Sequence, residues 1–226
     1  MCKRNGKHQR ALVKRPDSGR SRPADVPSPI DLRDISDARA WESTALSKRP
    51  SRPSFFETFA VEIRAHLDPV ASILEIGSGP GFLAKHLLQK LPEIQYAALD
   101  FSAAMHQLAR ERVGDQSDRV QFIERSFKDP DWMSGLDTFD VVVTHQAVHE
   151  LRHKRHAVNL HRAVGALLPK GGLYLMCDHF VGEGGMKDEQ LFMTLTEHQT
   201  SLLEAGFQTP ELIKTADSLA MFRAIR

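Results

Sequence analysis

Cysteine is scarce in this sequence, and long apolar runs are missing. The 226 residues include two cysteines, Cys2 and Cys177, which are too few for a disulfide framework or a Cys-x-x-Cys metal site. No apolar run approaches the roughly 20 residues needed to cross a bilayer. The N-terminus is charged but lacks the apolar segment of a secretory signal. These features predict a protein of the reducing cytoplasm with no membrane contact.

The sequence also has little net charge, +1 overall, so the molecule has no bulk preference for nucleic acid or anionic membranes. This balance hides an asymmetry, because residues 1–23 hold eight Lys and Arg residues against Asp17 alone. Four prolines also occur within residues 1–30. We expect residues 1–30 to be a disordered basic tail, and a solvated tail is favoured over a nucleic-acid contact.

The most informative stretch is ILEIGSGPGFLA, residues 73–84. Its dense apolar residues predict a strand covered on both faces, then a turn at Gly77, Gly79 and Gly81, then a helix over about 82–90. Glycine lets the backbone take positive φ and approach a ligand, at which the first N–H groups of the helix would point. A dinucleotide-binding G-x-G-x-x-G turn would need a third glycine where Phe82 stands.

Strands and helices alternate through the rest of the chain. Further strands are predicted at 94–100, 120–124, 139–144, 173–178, 207–213 and 219–225. Helices are predicted at 34–46, 55–67, 103–112, 154–168 and 188–205, with Ser54 and Ser102 as N-caps and Gly206 after the last helix. Pro50 and Pro53 are expected to break the chain between the first two of these helices. This order predicts an α/β three-layer sandwich, a mostly parallel seven-stranded sheet with helices on both faces. The last two strands are close enough in sequence to form a hairpin, which makes the final strand antiparallel.

The pattern E-x-G-x-G-x-G, from Glu75 to Gly81, resembles motif I of the class I S-adenosylmethionine (SAM)-dependent methyltransferases. The closing strand pair is also similar to the sheet of that family. The segments LEIGSGPG (74–81), LDFSAAM (99–105), FDVVVTHQAVHEL (139–151) and PKGGLYLMCD (169–178) stand in the order that the family shows. The resemblance implies SAM as cofactor, a methyltransferase domain at 70–226 and N-terminal cap helices at 31–69. Whether Trp41 of the cap is a core residue or lines the cofactor pocket stays open.

Ligands of open α/β sheets bind beyond the carboxyl ends of the strands, which directs attention to the residues there. Asp100 can accept hydrogen bonds from both ribose hydroxyls, and Phe101 can stack on adenine. The backbone from Gly77 to Gly79 can approach the methionine portion of the cofactor. Glu75 is expected to support the turn or the cofactor's amino group.

Ser126 and the amide of Phe127 are expected to contact the edge of the adenine ring. Many members of the family carry an acid at that edge, and here Asp129 or Asp131 can supply one instead. The predicted cofactor-binding residues are Glu75, Gly77, Gly79, Gly81, Asp100, Phe101, Ser126, Phe127 and Thr144.

Four histidines, His145, His149, His153 and His156, are spaced so that a single helix would place them on one face. Neutral imidazoles bind zinc, but basic residues surround the last two, so we expect no metal site. These histidines are better candidates for a general base, because histidine titrates near neutral pH and methyl transfer sometimes needs a proton removed. The candidates are His145, His149 and His179. The alternative for each is that it only lines the pocket or caps a helix.

The acceptor class is narrowed by motifs that other methyltransferases carry. The Asn/Asp-Pro-Pro-aromatic motif of base-amino enzymes would stand where residues 144–147 read THQA. The glutamate pair of arginine-directed enzymes and the cysteine set of arsenic-directed enzymes are missing. We expect a cytoplasmic enzyme, monomer or homodimer, that methylates a small molecule at oxygen, nitrogen or carbon. Two alternatives stay open: a protein that binds SAM or its product without transfer and, less favoured, an NAD(P)-dependent oxidoreductase.

Overall fold

The computed structural model describes residues 24–66 and 72–226. Its centre is a seven-stranded sheet with the order β3-β2-β1-β4-β5-β7-β6. The strands are β1 Ser72–Ile76, β2 Gln95–Asp100, β3 Val120–Glu124, β4 Val141–His145, β5 Leu173–His179, β6 Gln208–Ala216 and β7 Leu219–Ile225. Strands β1 to β5 are parallel to one another, whereas β7 pairs antiparallel with β5 and β6. The predicted seven-stranded sheet with an antiparallel final strand is confirmed.

Within the described ranges, six α-helices surround this sheet: α1 Ile35–Lys48, α2 Arg52–His66, α3 Phe82–Lys90, α4 Ala103–Val113, α5 Ala157–Ala166 and α6 Leu195–Glu204. One hydrophobic cluster joins α2 and α3 to the sheet, and another joins α5 and α6 to it. A smaller cluster, which includes Ala38 and Met105, packs α1 on α4. Helices therefore cover both faces of the sheet. None of these helices has the length and apolar character needed to span a bilayer.

The central strands are apolar on both faces, as strands between two helical layers must be. Val141, Val142 and Val143 of β4 are fully buried. Val142 belongs to the cluster with α5 and α6, and its two neighbours belong to the cluster with α2 and α3. Because β1 to β5 run parallel, their carboxyl ends meet along one edge of the sheet, and the loops after them share one surface.

The second helix begins earlier than the sequence predicts. It starts at Arg52, so Ser54 is not its N-cap but lies in its first turn, where its hydroxyl donates to the Ser51 carbonyl at 2.8 Å. The reading of Pro53 as a chain break is wrong. Proline is tolerated in the first helical turn, because an N–H there has no intrahelical acceptor to lose.

The last helix is shorter than predicted. Residues 188–194 do not form α-helix, and α6 begins after Thr194. The Thr194 hydroxyl accepts from the Glu197 amide at 3.1 Å, and the Glu197 carboxylate accepts from the Thr194 amide at 2.8 Å. This reciprocal cap defines the start that the sequence analysis missed. Gly206, with φ +96, follows the helix as predicted, and Ser102 caps α4 as predicted.

The four spaced histidines do not share one helix. His145 ends β4, and His149 lies in a separate 3-10 turn. The helix predicted from residue 154 begins as another 3-10 turn and becomes α5 only at Ala157. Gln146 and Arg152 take left-handed conformations, with φ of +58 and +65, which a continuous right-handed helix does not allow. The condition for a shared histidine face, a single continuous helix, is therefore not met.

Residues 24–30, which the sequence analysis assigns to the tail, lie against the loop after β4. The Val26 amide donates to the Arg152 carbonyl at 2.8 Å, and the Arg152 guanidinium donates to the carbonyls of Val26 and Pro27 at 2.9 and 2.7 Å. This part of the predicted disordered tail is thus held by hydrogen bonds. The basic residues 1–23, with Cys2, lie outside the described residues. The division at 1–30, 31–69 and 70–226 otherwise stays a prediction.

Gly77 lets the turn after β1 approach the loop after β4. At its φ of +70, an added Cβ would lie 2.4 Å from the Cβ of Ala147. We expect Gly77→Ala to lower the free energy of unfolding by about 1–2 kcal/mol for the left-handed backbone and by about 1–3 kcal/mol more for overpacking. Urea unfolding of the full chain measures this loss.

Gly135→Ala is the matched control for that variant. Gly135 has a similar φ of +72, but nothing lies within 4 Å of an added Cβ. Gly135→Ala should lower the free energy of unfolding only by the backbone contribution, about 1–2 kcal/mol. Equal losses in the two variants would show that the contact with Ala147 does not limit residue 77.

Candidate active site

A cavity of about 680 Å³ lies where the carboxyl ends of β1, β2, β4 and β5 meet. The turn after β1 and the loop after β4 form part of its wall, and residues 28–33, α1 and the start of α2 form the rest. Trp41 of α1 belongs to this wall. Nine of the twelve predicted site residues line the cavity: Glu75, Gly77, Gly79, Asp100, Phe101, Phe127, His145, His149 and His179.

The glycine turn and the acid at the end of β2 lie side by side. The Gly79 amide donates to Oδ2 of Asp100 at 2.8 Å, and the Ser102 amide donates to Oδ1 at 3.0 Å. Burial raises the pKa of Asp100 to about 6, although these N–H donors oppose the shift. The carboxylate is therefore mostly ionised at neutral pH, and it keeps lone pairs for further hydroxyl donors.

A second acid and an aromatic ring stand close to this pair. Oε2 of Glu75 accepts from the Tyr96 hydroxyl at 2.7 Å. Burial raises the pKa of Glu75 to about 8 even though that hydroxyl opposes the shift. A cation bound beside Glu75 would favour its ionised form. The guanidinium carbon of Arg33 lies 4.6 Å from the centroid of the Phe101 ring and covers one of its faces.

Three predicted cofactor residues lie away from the cavity wall. Gly81 precedes α3 with a φ of +77, and an added Cβ would lie 3.0 Å from Ala109, which explains the glycine. Ser126 accepts from the Lys128 amide at 3.2 Å, and neither acid considered in its place reaches the wall. Thr144 is fully buried, and its hydroxyl has no hydrogen-bond partner among the described residues.

His149 and Asp178 form a pair on the β4–β5 side of the cavity. Nδ1 of His149 is 2.6 Å from Oδ1 of Asp178, whose Oδ2 accepts from the His149 amide at 2.8 Å. Nε2 of His149 lies 3.4 Å from the Glu150 carboxylate. The sequence analysis did not include Asp178 among the site residues. The sequence feature that identified Asp100, an acid at the carboxyl end of a buried strand, was also available for Asp178.

The short contact determines the charge of the pair. Burial opposes the charged form of His149, but the Asp178 carboxylate more than offsets burial and raises the pKa of His149 to about 10. Burial likewise disfavours ionised Asp178, yet His149 holds the pKa of that carboxyl well below its usual range. At neutral pH the pair is therefore an imidazolium beside a carboxylate.

His179 is held in place by its neighbours. Nε of Arg52 donates to Oε1 of Gln146 at 2.5 Å, so the Gln146 amide nitrogen is the group that faces Nε2 of His179 at 2.9 Å. That nitrogen donates to Nε2, and Nδ1 lies 2.8 Å from the Ser218 hydroxyl. Burial lowers the pKa of His179 to about 4, in agreement with a neutral ring. Because Gln146 occupies the free lone pair, this geometry favours a positioning role.

His145 packs between aromatic side chains. Its ring centroid lies 5.1 Å from that of Phe56 and 6.1 Å from that of Phe59, both edge-on. Burial lowers the pKa of His145 to about 3, and its Nε2 has no hydrogen-bond partner in the described part of the chain. Of the three candidate bases, His149 is the one with a carboxylate partner. Across residues 24–66 and 72–226, no three His, Cys, Asp or Glu side chains are grouped to hold a metal ion.

Two cavity residues, Arg52 and Gln146, were missed entirely by the sequence analysis. Arg52 lies between Pro50 and Pro53, a stretch that the sequence suggested was only a chain break. Gln146 directly follows β4, and this position after a strand end was the signal available for it. Its φ of +58 is uncommon for a residue other than glycine, as is often found at functional sites.

The His149–Asp178 pair predicts a specific pH profile of stability. The His149 contribution is complete below its ordinary pKa of 6.5 and is lost as the pH rises towards about 10. The Asp178 contribution is complete above its ordinary pKa of 3.8 and is lost as the pH falls below it. The pair should therefore stabilise the fold most between about pH 4 and 6.5.

Urea unfolding of wild type and Asp178→Asn from pH 4 to 9 tests this profile. The difference in unfolding free energy between the two proteins should be largest below pH 6.5 and should shrink steadily above it. Taking the difference cancels the titration of groups that Asp178 does not influence, such as His86 and His106. A difference that is constant over the whole range would refute the proposed charge state of the pair.

The middle of the chain matches a known family. Residues 74–174 match the family model described as a methyltransferase domain. The compactin diketide synthase mlcB of Penicillium citrinum is 31% identical to this chain over 122 residues, which is 51% of this chain and 5% of that protein. The chain therefore spans only a small part of the length of the curated relatives that it matches.

Solved methyltransferase structures share the fold. An O-methyltransferase family protein from Burkholderia thailandensis has a TM-score of 0.69 at 16% identity, covering 85% of this chain and 60% of that one. DhpI, in complex with S-adenosylhomocysteine (SAH), has a TM-score of 0.62 at 18% identity, covering 84% of this chain and 93% of that one. The shared fold, the match over residues 74–174 and the E-x-G-x-G-x-G turn beside Asp100 together make this chain similar to the class I SAM-dependent methyltransferases.

Proposed function

We propose that this protein transfers a methyl group from SAM to a small-molecule acceptor. The observation that carries the proposal is one cavity lined both by Gly79 and Asp100 and by His149, with Asp178 behind it. One part of the cavity offers groups for an adenosyl cofactor, and another offers a base for an acceptor. The names of the relatives, a diketide synthase and an O-methyltransferase family protein, support an organic acceptor.

The cavity suits SAM in size and chemistry. Its volume of about 680 Å³ lies within the range of small-molecule sites. Asp100 can accept from the ribose hydroxyls, Phe101 can stack on adenine, and Glu75 can bind the amino group. Nothing lies within 4 Å of a Cβ added at Gly79, so the backbone there is open to the methionine portion. Bound SAM supplies a methyl group on a sulfonium centre, which leaves alignment, water exclusion and proton removal to the protein.

His149 is the residue that we assign as general base. Asp178 accepts from Nδ1 and orients the ring, which leaves Nε2 to take a proton from the acceptor. With its pKa raised to about 10, His149 is mostly protonated at neutral pH before ligands bind. A positive group bound in the cavity would lower that pKa and free the base.

The N-terminal part is best understood as a cap that encloses the acceptor. Residues 28–33 and α1 line the cavity, and the Ser102 hydroxyl donates to the Leu32 carbonyl at 2.5 Å, joining the cap to the sheet edge. An enclosed site of this size favours a small molecule over nucleic acid. We assign the cap to residues 31–69, the methyltransferase domain to 70–226 and, from the cysteine usage, the protein to the cytoplasm.

A second candidate function is binding of SAM or its product without transfer. The observation that favours it is the raised pKa of His149, because an imidazole that is already protonated cannot accept a proton. An NAD(P)-dependent oxidoreductase has no such support, since residues 74–174 match a methyltransferase domain model. The two remaining functions differ in whether labelled methyl leaves SAM.

Asp100→Asn should weaken SAH binding to the full chain by about tenfold or more. A charge-assisted hydrogen bond contributes about 1.5–3 kcal/mol, and 1.4 kcal/mol is a factor of ten. Isothermal titration calorimetry measures the change. His153→Ala is the control, because His153 accepts from the Arg155 amide and does not line the cavity. If both variants lost affinity equally, the cofactor would bind elsewhere.

His149→Gln should lower methyl transfer by about 10²–10⁴-fold, the usual contribution of a general base. The assay follows labelled methyl from SAM into the components of a metabolite extract. SAH affinity should stay within about threefold, because the variant leaves Asp100 intact. The wild-type rate should rise with pH as His149 loses its proton, with a midpoint below 10 because bound SAM lowers the pKa of His149.

His153→Gln, outside the cavity, should transfer methyl at the wild-type rate. Undiminished transfer by His149→Gln would refute the base assignment. SAH binding without any labelled product in the wild type would instead support the binding-only function.

A further inference from the structure

Arg52 carries a buried positive charge without a carboxylate partner. Its side chain is 7% exposed and lines the cavity from the first turn of α2. Nε donates to Gln146, and the guanidinium carbon lies 5.1 Å from the centroid of the Trp41 ring. Among the described residues, no Asp or Glu forms an ion pair with Arg52, and no hydrogen bond leaves its two terminal nitrogens. Burying a charge in this way is costly unless a ligand pairs with it.

The contacts of Arg52 place it on the acceptor side of the cavity. Gln146 follows β4, and it joins Arg52 to His179 at the end of β5. The His179 ring centroid is 5.4 Å from that of His149, the proposed base. Asp100 and Gly79, by contrast, follow β2 and β1. The chain of hydrogen bonds therefore runs from Arg52 towards the base, on the opposite side of β4 from the adenosyl groups.

The orientation of the guanidinium limits what it can bind. Gln146 accepts the hydrogen bond of Nε, and the Trp41 ring covers one face of the guanidinium. The edge formed by the two terminal nitrogens is therefore the part left for a ligand. That edge donates two parallel N–H bonds, which match the two oxygens of a carboxylate. Burial lowers the pKa of Arg52 to about 10, with Arg49 adding to the shift, so the group still carries its charge at neutral pH.

We propose that Arg52 binds a carboxylate of the methyl acceptor, so that the enzyme acts on organic acids. This inference rests on the proposed function, because it concerns the molecule that receives the methyl group. The carboxylate offsets the positive charge of Arg52 in the same cavity that His149 lines. Held end-on by Arg52, the acceptor presents its reactive atom to His149.

Benzoate and benzamide are a matched pair of probes for this site. They share a ring, but only benzoate carries a negative charge. We expect benzoate to bind the SAH-saturated full chain in a saturable way, measured by calorimetry and by the rise in Tm, and benzamide to bind at least tenfold more weakly. Arg52→Gln should weaken benzoate binding at least tenfold and leave benzamide unchanged. If benzoate shows no saturable binding, or binds no better than benzamide, the proposal is overturned.

Two further variants keep the test decisive. Arg49→Gln removes the same charge from a half-buried residue that also lines the cavity but whose terminal nitrogen donates to the Lys48 carbonyl. It should change benzoate affinity less than threefold. Arg52→Lys keeps the charge but loses the two-pronged edge, so it should retain partial affinity even if Arg52→Gln does not fold. Equal losses in Arg49→Gln and Arg52→Lys would indicate a diffuse charge effect and overturn the specific site.

The methionine portion of SAM also carries a carboxylate, which Arg52 could bind instead of the acceptor. Measuring the affinity for SAH distinguishes the cofactor carboxylate from the acceptor carboxylate. On our proposal, Arg52→Gln and Arg52→Lys change SAH affinity less than threefold. A loss of SAH affinity of tenfold or more, with benzoate binding unchanged, would assign Arg52 to the cofactor and overturn the proposal. Benzoate titrations without SAH distinguish the failure of this site from that of the proposed function. If benzoate binding depends on Arg52 but the protein transfers no methyl group, only the proposed function is refuted.

Discussion

The hydrogen bond from the Gly79 amide to the Asp100 carboxylate joins the first two strand ends of the sheet, and the rest of the site depends on it. It forms only because β1 and β2 are parallel neighbours, which brings both carboxyl ends to one edge. Gly77 adds the second constraint, since the absence of its Cβ lets Ala147 of the next loop approach. Together these contacts align the turn after β1, the acid after β2 and the loop after β4 around one cavity.

Buried charge is handled in two ways around that cavity. His149 and Asp178 neutralise each other across 2.6 Å, so each raises the stability of the other's charged form. Arg52 has an amide and an aromatic ring as neighbours but no carboxylate within the described structure. A paired charge is self-sufficient, whereas an unpaired one is stable in a buried site when a ligand completes it. This contrast separates the pair that we propose as catalytic from the group that we propose for recognition.

The sequence identified most of the proposed cofactor side of the site but less of the proposed acceptor side. Glu75, the glycine turn and Asp100 lie at the ends of strands whose apolar runs are easy to recognise, so their common location follows from topology alone. Asp178 and Gln146 also lie at strand ends, yet their contacts depend on which side chains face them across β4 and β5. Arg52 could not be identified, because Pro50 and Pro53 suggested a break, whereas Pro53 lies in the first turn of α2. The histidines do not share a helical face, because left-handed residues at 146 and 152 divide the stretch.

The amino-acid sequence by itself determined the order of elements, the mostly parallel sheet, the antiparallel ending and the family resemblance, because these follow from local apolar patterns and from the glycine turn. Tertiary structure alone decided which histidine has a carboxylate partner, which aromatic residues close the cavity and where an unpaired arginine points. The physical reason is that strand and helix patterns are read from neighbours in sequence. A pKa, a hydrogen-bond partner or an ion pair instead depends on residues that folding brings together from distant positions, such as Arg52, Gln146 and His179.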